Sequence, residues 1–195
     1  MGIEKVKLNQ ENIKELYDKL MVDNLIIVEE CIKQHESLSE FYPDCVHCCR
    51  IVAILENDMC FFPQTSIKFG VNAVSDNLAT GSICANIDLE TGTVCTDGAT
   101  KRGEIFTKHP FSQKEFKGFK VPYWKESLDL CNEVIRKVPN INLIGFDIAI
   151  TSNGPVVVEG NDTPDFRVYD YPLIGQRTGM RYKIEPFITE YECKW

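Results

Sequence analysis

Two carboxylates and an amide lie close together near the C-terminal end of the sequence, in two apolar runs joined by a turn. Asp147 belongs to the first run, Glu159 and Asn161 close the second, and a Ser-Asn-Gly turn occupies residues 152–154. Alternating apolar residues on both sides of such a turn predict a β-hairpin. A three-residue loop with Gly154 in the left-handed conformation is a common hairpin connection. That register places Asp147 directly opposite Glu159.

The facing of the other side chains decides between this register and its alternative. A two-residue Asn-Gly turn would place Ile148 opposite Glu159 and separate the two acids onto opposite faces. With the three-residue loop, one face contains only apolar residues, namely Phe146, Ile148, Ile150, Val156 and Val158. The other face then collects Gly145, Asp147, Ala149, Val157, Glu159 and Asn161. The sequence therefore predicts the three-residue register.

Two acids placed directly opposite each other need a compensating charge, because like charges across a strand pair are destabilising. A hard divalent cation is the simplest compensation, since Mg²⁺ prefers carboxylate and other oxygen ligands. Asp147, Glu159 and Asn161 are thus candidate metal ligands. The alternative is that one acid forms an ion pair, and Arg50, Lys68 and Arg167 are the candidate partners.

The rest of the sequence predicts mostly strands with few helices. Apolar residues at helical spacing predict helices over 9–22, capped by Asn9 or Asn12, and over 123–137. Strands are expected over 48–56, 60–68, 83–88, 93–96, 144–151 and 155–159, with a short buried strand at 25–28. Residues 98–122 and 160–182 look irregular. This pattern indicates an α+β fold with a largely antiparallel sheet.

Composition narrows the classes of function. The chain has 195 residues, 44% of them hydrophobic, and a net charge of -8. An acidic surface disfavours nucleic acid and anionic membranes as partners. There is no apolar run of transmembrane length and no signal-peptide core, so a cytoplasmic location is expected.

Nine cysteines are scattered among apolar positions, which is typical of reduced core thiols and not of a disulfide framework. Cys45, His47, Cys48 and Cys49 form the one dense cluster. A zinc site is the alternative reading of this cluster. It is disfavoured because Cys48 and Cys49 enter a predicted strand, where neighbouring side chains point to opposite faces.

An ordered set of motifs resembles the ATP-grasp proteins, in particular the sugar-transfer-associated ATP-grasp group. The set comprises VEECIKQH at 28–35, RIV at 50–52, DN at 76–77 before TG at 80–81, HP at 109–110, VPYW at 121–124, GFDIAIT at 145–151 and VEGN at 158–161. The resemblance covers about residues 24–180. It implies an ATP-grasp-like α+β fold in which a mostly antiparallel sheet packs against helices.

The resemblance also implies roles for individual residues. Asp147, Glu159 and Asn161 match the Mg²⁺ ligands of the family. Glu29 to Ile32 match the hinge that lies against adenine, with backbone groups of Glu30, Cys31 and Ile32 reading the base edge. Arg50 and Lys68 match basic residues that face the phosphates or the acyl-phosphate, and Asn77 matches a loop asparagine at the nucleotide.

The implied cofactors are ATP and Mg²⁺, and the implied reaction is ligation. A substrate carboxylate attacks the γ-phosphate to give an acyl-phosphate, and an amine or thiol then displaces phosphate. The implied substrates are a small-molecule carboxylate and a small-molecule amine, and the association of the group with polysaccharide biosynthesis implies sugar-linked ones. Positioning and cationic charge would lower the barrier.

The sequence departs from the family upstream of Leu25, where no Gly-rich phosphate loop is found. Residues 1–32 are therefore expected to be a residual first-lobe helix and hinge strand, and 33–195 the C-terminal lobe. A missing N-terminal segment or a partner chain would complete the truncated first lobe. The alternative is a degenerate domain that serves as a non-catalytic nucleotide-binding or assembly module. A glycan-binding domain using Tyr123 and Trp124 is a third reading, although Trp124 lies on the apolar face of its predicted helix.

Overall fold

The computed structural model describes residues 6–24, 28–71, 76–78 and 81–175, together with Gly179, Tyr182, Lys183 and Glu185. The chain divides into two compact units, Met1–Ile32 and Lys33–Trp195. Which lobes of an ATP-grasp fold these units represent stays a prediction. No described helix is long and apolar enough to cross a membrane.

The first unit contains one helix, α1, at Ile13–Val22. It begins later than predicted because the Asn9 side chain forms a separate turn, accepting hydrogen bonds from the N–H groups of Glu11 and Asn12 at 3.0 and 2.9 Å. The predicted strand at 25–28 lies mostly outside the described residues. Val28 itself is 62% exposed and has no strand assignment.

The second unit is built on one seven-stranded sheet. Its strands are β1 (Cys48–Glu56), β2 (Met59–Phe69), β3 (Ile83–Asn86), β4 (Gly98–Ala99), β5 (Ile105–Phe106), β6 (Leu143–Thr151) and β7 (Gly154–Asn161). The spatial order is β5-β4-β3-β2-β1-β6-β7, and every neighbouring pair is antiparallel. The predicted α+β class with an antiparallel sheet is confirmed.

Two segments differ from the prediction. The predicted strand at 93–96 forms only isolated bridges, Thr93 to Lys120 and Val94 to Ile87. The segment expected to be irregular contains β4 and β5 instead. Gly98 allows this, because a Cβ there would lie 2.4 Å from Ile83 Cγ2 and a side chain would keep β4 away from β3.

One face of the sheet carries the large apolar core beneath the helices. Ile51, Ile67 and Phe146 are almost fully buried there. The long helix α3, Trp124–Ile135, packs on β1, β6 and β7, and a short helix α2 forms at Glu36–Ser39. Trp124 is 7% exposed and its Nε1 donates to the Leu89 carbonyl at 2.7 Å. Trp124 is therefore a core residue, as its helical position predicted.

The opposite face of the sheet carries both polar and apolar side chains. A small apolar cluster of Val52, Cys84, Val168 and Tyr169 covers part of it. Val168 and Tyr169 come from a 3₁₀ turn, Phe166–Tyr169, which a second turn at Tyr171–Leu173 follows. We call this side the polar face and the α3 side the core face.

Candidate functional site

A row of polar residues crosses five neighbouring strands on the polar face. Each member is the direct cross-strand partner of the next, so all of their side chains project to the same side. From β7 to β3 the row reads Glu159, Asp147, Arg50, Ser66 and Asn86. Sequence reasoning had paired Asp147 with Glu159, and the structure confirms that pairing.

The register of the hairpin near its turn differs from the predicted one, although the pairing of Asp147 with Glu159 is the same. Near the turn the register is that of a two-residue connection, with Thr151 opposite Gly154 and Ile148 opposite Val157. A β-bulge then shifts the register by one residue before Asp147 meets Glu159. The prediction of a simple three-residue loop is therefore wrong.

The predicted facing of the valines is wrong for the same reason. Val157 packs against the core, whereas Val156 and Val158 are 42% and 48% exposed. In an unbroken ladder, Glu159 would fall opposite Phe146 and point to the core face. The extra residue of the bulge restores Glu159 and Asn161 to the polar face, which is a recognised use of bulges beside functional sites.

Asp147 is held by two cations. The Arg50 guanidinium donates to both carboxylate oxygens, from Nε at 2.7 Å and from Nη2 at 3.0 Å. Lys68 Nζ donates to Asp147 Oδ2 at 3.1 Å. Asp147 is only 6% exposed. The ion pairs that the sequence left open as an alternative are thus present, whereas Arg167 pairs with Asp165.

A second carboxylate completes a neutral group. Asp76 Oδ1 lies 3.5 Å from Lys68 Nζ, and its Oδ2 accepts the backbone N–H of Cys48 at 2.8 Å. We call Arg50, Lys68, Asp76 and Asp147 the charged quartet. Sequence reasoning used Asp76 only as part of a motif, and a lone loop acid gives no sign of the strand that it will approach.

The charged quartet keeps its cations ionised although it is buried. Burial alone would lower the pKa of Arg50, but the charge and hydrogen bonds of Asp147 outweigh burial and raise it. Burial would also lower the pKa of Lys68, and here Asp76 and Asp147 together raise it. Burial raises the pKa of Asp76, against the opposing effect of Lys68. Opposite charges within a few ångström explain why both cations stay charged.

Gly145 permits the close packing beside these groups. A Cβ at this position would lie 2.5 Å from Pro164 Cβ and 3.2 Å from Arg50 Nη1. Asn161, the cross-strand partner of Gly145, donates weakly from Nδ2 to the Gly145 carbonyl at 3.5 Å. Its amide oxygen makes none of the hydrogen bonds found among the described residues.

The far end of the polar row lies beneath Tyr169. The Tyr169 hydroxyl donates to the Arg50 carbonyl at 3.2 Å, and Asn86 Nδ2 donates to the Tyr169 carbonyl at 3.1 Å. Ser66 Oγ and Asn86 Oδ1 are buried and have no hydrogen-bond partner within the described part of the chain. The exposed end, at Glu159, is where a ligand can approach the row.

The cysteine cluster behaves as a set of core thiols. Cys45, Cys48 and Cys49 are buried and free, and burial raises the pKa of all three thiols. His47 Nδ1 accepts the N–H of Gly70 at 3.0 Å. Within the described ranges no three His, Cys, Asp or Glu side chains are arranged to hold a metal ion. The zinc alternative therefore finds no support.

The remaining predicted nucleotide residues are not tested by this geometry. Glu29, Glu30 and Cys31 are exposed and Ile32 is half-buried, all within the first unit. Asn77 is exposed and directly follows Asp76. Their nucleotide roles, the metal-ligand roles of Asp147, Glu159 and Asn161, and the phosphate roles of Arg50 and Lys68 stay predictions.

Comparison with known families places this site in a wider context. Residues 6–178 match the family described as sugar-transfer associated ATP-grasp. The chain belongs to this family. It is thus an ATP-binding, ligase-like ATP-grasp domain, as the motifs around Asp147 and Glu159 predicted. No curated protein and no solved structure matches the chain.

Proposed function

We propose that the polar face binds Mg-ATP and supports ATP-dependent ligation of a carboxylate to an amine or a thiol. The observation that carries this proposal is the row in which Glu159, Asp147 and Arg50 are direct cross-strand neighbours beside Lys68. Two carboxylates, which suit Mg²⁺, adjoin two cations, which suit phosphate oxygens. ATP-grasp domains generally bind ATP and Mg²⁺, and this family relationship supports the proposal.

The donor set fits the proposed metal. Asp147 and Glu159 offer carboxylate oxygens, and Asn161 offers an amide oxygen that takes part in no hydrogen bond found among the described residues. Hard oxygen donors of this kind suit Mg²⁺, which usually completes its coordination with phosphate oxygens and water. When bound, Mg²⁺ would supply charge neutralisation at the phosphates.

Binding of Mg-ATP would require Asp147 to give up its ion pairs with Arg50 and Lys68. Asp147 would hold Mg²⁺ in place of its ion pairs, and Arg50 and Lys68 would then be free to donate to phosphate oxygens. Both cations are already charged and lie within the site, so they can offset the negative charge of the phosphates. The carboxylate substrate then attacks the γ-phosphorus, ADP leaves, and the amine or thiol displaces phosphate from the acyl-phosphate.

The substrates are proposed from the family description alone. The association with sugar transfer supports a sugar-linked carboxylate or amine, and hence a role in polysaccharide biosynthesis. The nucleotide-binding roles of Glu29, Glu30, Cys31 and Ile32, and that of Asn77, are proposed from the family resemblance alone. The predicted cytoplasmic location is kept because ATP is the co-substrate.

Calorimetry of ATP binding, with and without Mg²⁺, tests the proposal. Asp147→Asn and Glu159→Gln should each weaken Mg-dependent binding at least about tenfold, since even outer-shell changes at metal sites reach that cost. Glu115→Gln is the matched control, because Glu115 is exposed and forms an exposed ion pair with Lys108 at 3.5 Å. Equal ATP affinity with and without Mg²⁺ would exclude the proposed site.

A non-catalytic nucleotide-binding or assembly module is the second candidate. The observation that favours it is the charged quartet, which satisfies both oxygens of Asp147 without any ligand. Phosphate release from ATP separates the two candidates. Release that depends on both a uronic acid and an amino sugar would establish a ligase, and ATP binding without release across such a panel would favour the module.

A further inference from the structure

Asp76 is the member of the charged quartet that neither the metal nor the phosphates require. One of its oxygens accepts the N–H of Cys48, the first residue of β1, at 2.8 Å. The other lies 3.5 Å from Lys68 Nζ. The Asp76 carboxylate is thus fixed to the sheet through a backbone hydrogen bond, independently of Asp147.

Lys68 bridges the two acids of the quartet. Its ammonium is 3.1 Å from Asp147 and 3.5 Å from Asp76, and the residue is only 8% exposed. A buried cation that loses its only anionic partner is strongly destabilised. The cost of moving Asp147 from Lys68 to a metal therefore depends on whether another anion remains beside the Lys68 ammonium.

We propose that Asp76 is a positioning residue that retains Lys68, charged and in place, while Asp147 binds the metal. This inference rests on the proposed function, because it assigns Asp147 to Mg²⁺. Without Asp76, Asp147 would be the one anionic partner of Lys68 among the described residues, and Lys68 would compete with the metal for the same oxygen. With Asp76 present, the competition is weaker and Lys68 stays within reach of an incoming phosphate.

Metal affinity provides a readout that needs no turnover. Asp76→Asn keeps an oxygen that can accept the Cys48 N–H but removes the charge beside Lys68. Titration with Mn²⁺ alone, followed by the EPR signal of the free ion, should show affinity about tenfold weaker, a typical coupling for groups in one network. Asp97→Asn is the matched control, since Asp97 pairs with the exposed Lys117, and it should leave Mn²⁺ affinity unchanged.

A second background separates retention of Lys68 from a simple charge effect. In Lys68→Met there is no ammonium to compete, so adding Asp76→Asn should weaken Mn²⁺ binding by less than about threefold. Equal weakening in both backgrounds would overturn the inference, because Asp76 would then act only through its charge. Unchanged affinity in the single variant would overturn it as well.

Two further measurements keep these outcomes interpretable. Asp76→Glu retains an anion, so its Mn²⁺ affinity should lie within about threefold of that of the wild type. It also provides a second variant to measure if Asp76→Asn does not fold. A loss with Glu as large as with Asn, in folded protein by circular dichroism, would contradict the inference. Failure of the proposed function looks different, since Asp147→Asn would then leave Mn²⁺ affinity unchanged.

Discussion

His47 and His109 are buried on the core face of the sheet, whereas the polar face holds two cations and two carboxylates whose side chains are at most 14% exposed. Both histidines contact the peptide groups of Gly70. The Gly70 N–H donates to His47 Nδ1 at 3.0 Å, and its carbonyl lies 3.1 Å from His109 Nε2. His47 must be unprotonated at Nδ1 to accept this bond, and His109 must donate from Nε2.

The two faces therefore accommodate buried polar groups in different ways. On the core face, burial and the neighbouring His109 lower the pKa of His47 to about 3, and burial lowers the pKa of His109. On the polar face, mutual pairing keeps Arg50 and Lys68 charged. Removing the charge suits a structural contact, whereas preserving it keeps a site ready for an ionic ligand.

The largest expected effect on stability comes from removing a large side chain from the core face. Phe146→Ala deletes a side chain that is 1% exposed and leaves a cavity beneath α3. We expect the free energy of unfolding to fall by about 4 kcal/mol, as measured by urea denaturation. Val158→Ala on the neighbouring strand is the control, because Val158 is 48% exposed. A similar loss for both variants would contradict the division into faces.

Breaking the charged quartet should cost somewhat less. Asp147→Asn keeps the shape of the side chain but leaves Arg50 and Lys68 without their shared anion. The expected loss in unfolding free energy is about 3 kcal/mol, the lower end for breaking a buried pair. Asp165→Asn breaks the exposed pair with Arg167 and should cost less than about 1 kcal/mol. Equal losses would show that the quartet behaves as a surface network.

Acid should lower the free energy of unfolding through protonation of His47 in the unfolded chain. Because its folded pKa of about 3 lies below the unfolded value of 6.5, the unfolded chain binds more protons between these values. The contribution of His47 to the free energy of unfolding is therefore fully present above about pH 6.5. It is lost as the pH falls, by about 2 kcal/mol between pH 7 and pH 5. His109 acts in the same direction, and Asp76, whose pKa is raised, acts against it at lower pH.

His47→Asn isolates the contribution of this histidine. The Asn side-chain oxygen can replace Nδ1 as the acceptor for Gly70 but does not titrate. The variant should lose about 2 kcal/mol of the pH dependence over that range, as measured by denaturation at several pH values. An unchanged pH slope would show that His47 is not the titrating group.

The smallest effect is expected from removing the bulge. Deleting Val158 leaves Val157 opposite Ile148 and Glu159 opposite Asp147, so every other pair of the hairpin is kept. We expect a change in stability within about 1 kcal/mol and unaltered Mg-dependent ATP binding by calorimetry.

Deleting two valines provides the contrast. Loss of both Val157 and Val158 would bring Glu159 opposite Ile148 and turn its carboxylate toward the core face. Metal-dependent ATP binding should then be lost. Retained binding would show that the facing of Glu159 is unimportant.

The sequence predicted the features that depend on local pattern. Alternation in Phe146, Ile148 and Ile150 indicated a strand with one apolar face, and these residues are buried as expected. Helix α3 and the long strands were found for the same reason. The acids were also paired correctly, although the predicted turn was wrong.

The remaining errors have identifiable physical causes. Three consecutive valines carry no alternation, so residues 156–158 could not reveal where the register shifts. Asp76 approaches Lys68 through a loop, and no periodicity reports such a contact. The order of the strands also decides that Arg50 lies beside Asp147, and that order is a property of the whole sheet.

The position of β1 between β2 and β6 has a consequence for the order in which the site is assembled. β2 follows β1 directly, but Arg50 and its partner Asp147 are 97 residues apart in the chain. During synthesis the β1–β2 hairpin therefore emerges with Arg50 and Lys68 long before β6 can supply a carboxylate. Non-local pairings of this kind form late. The proposed ATP site is thus expected to be among the last parts of a newly made chain to become complete.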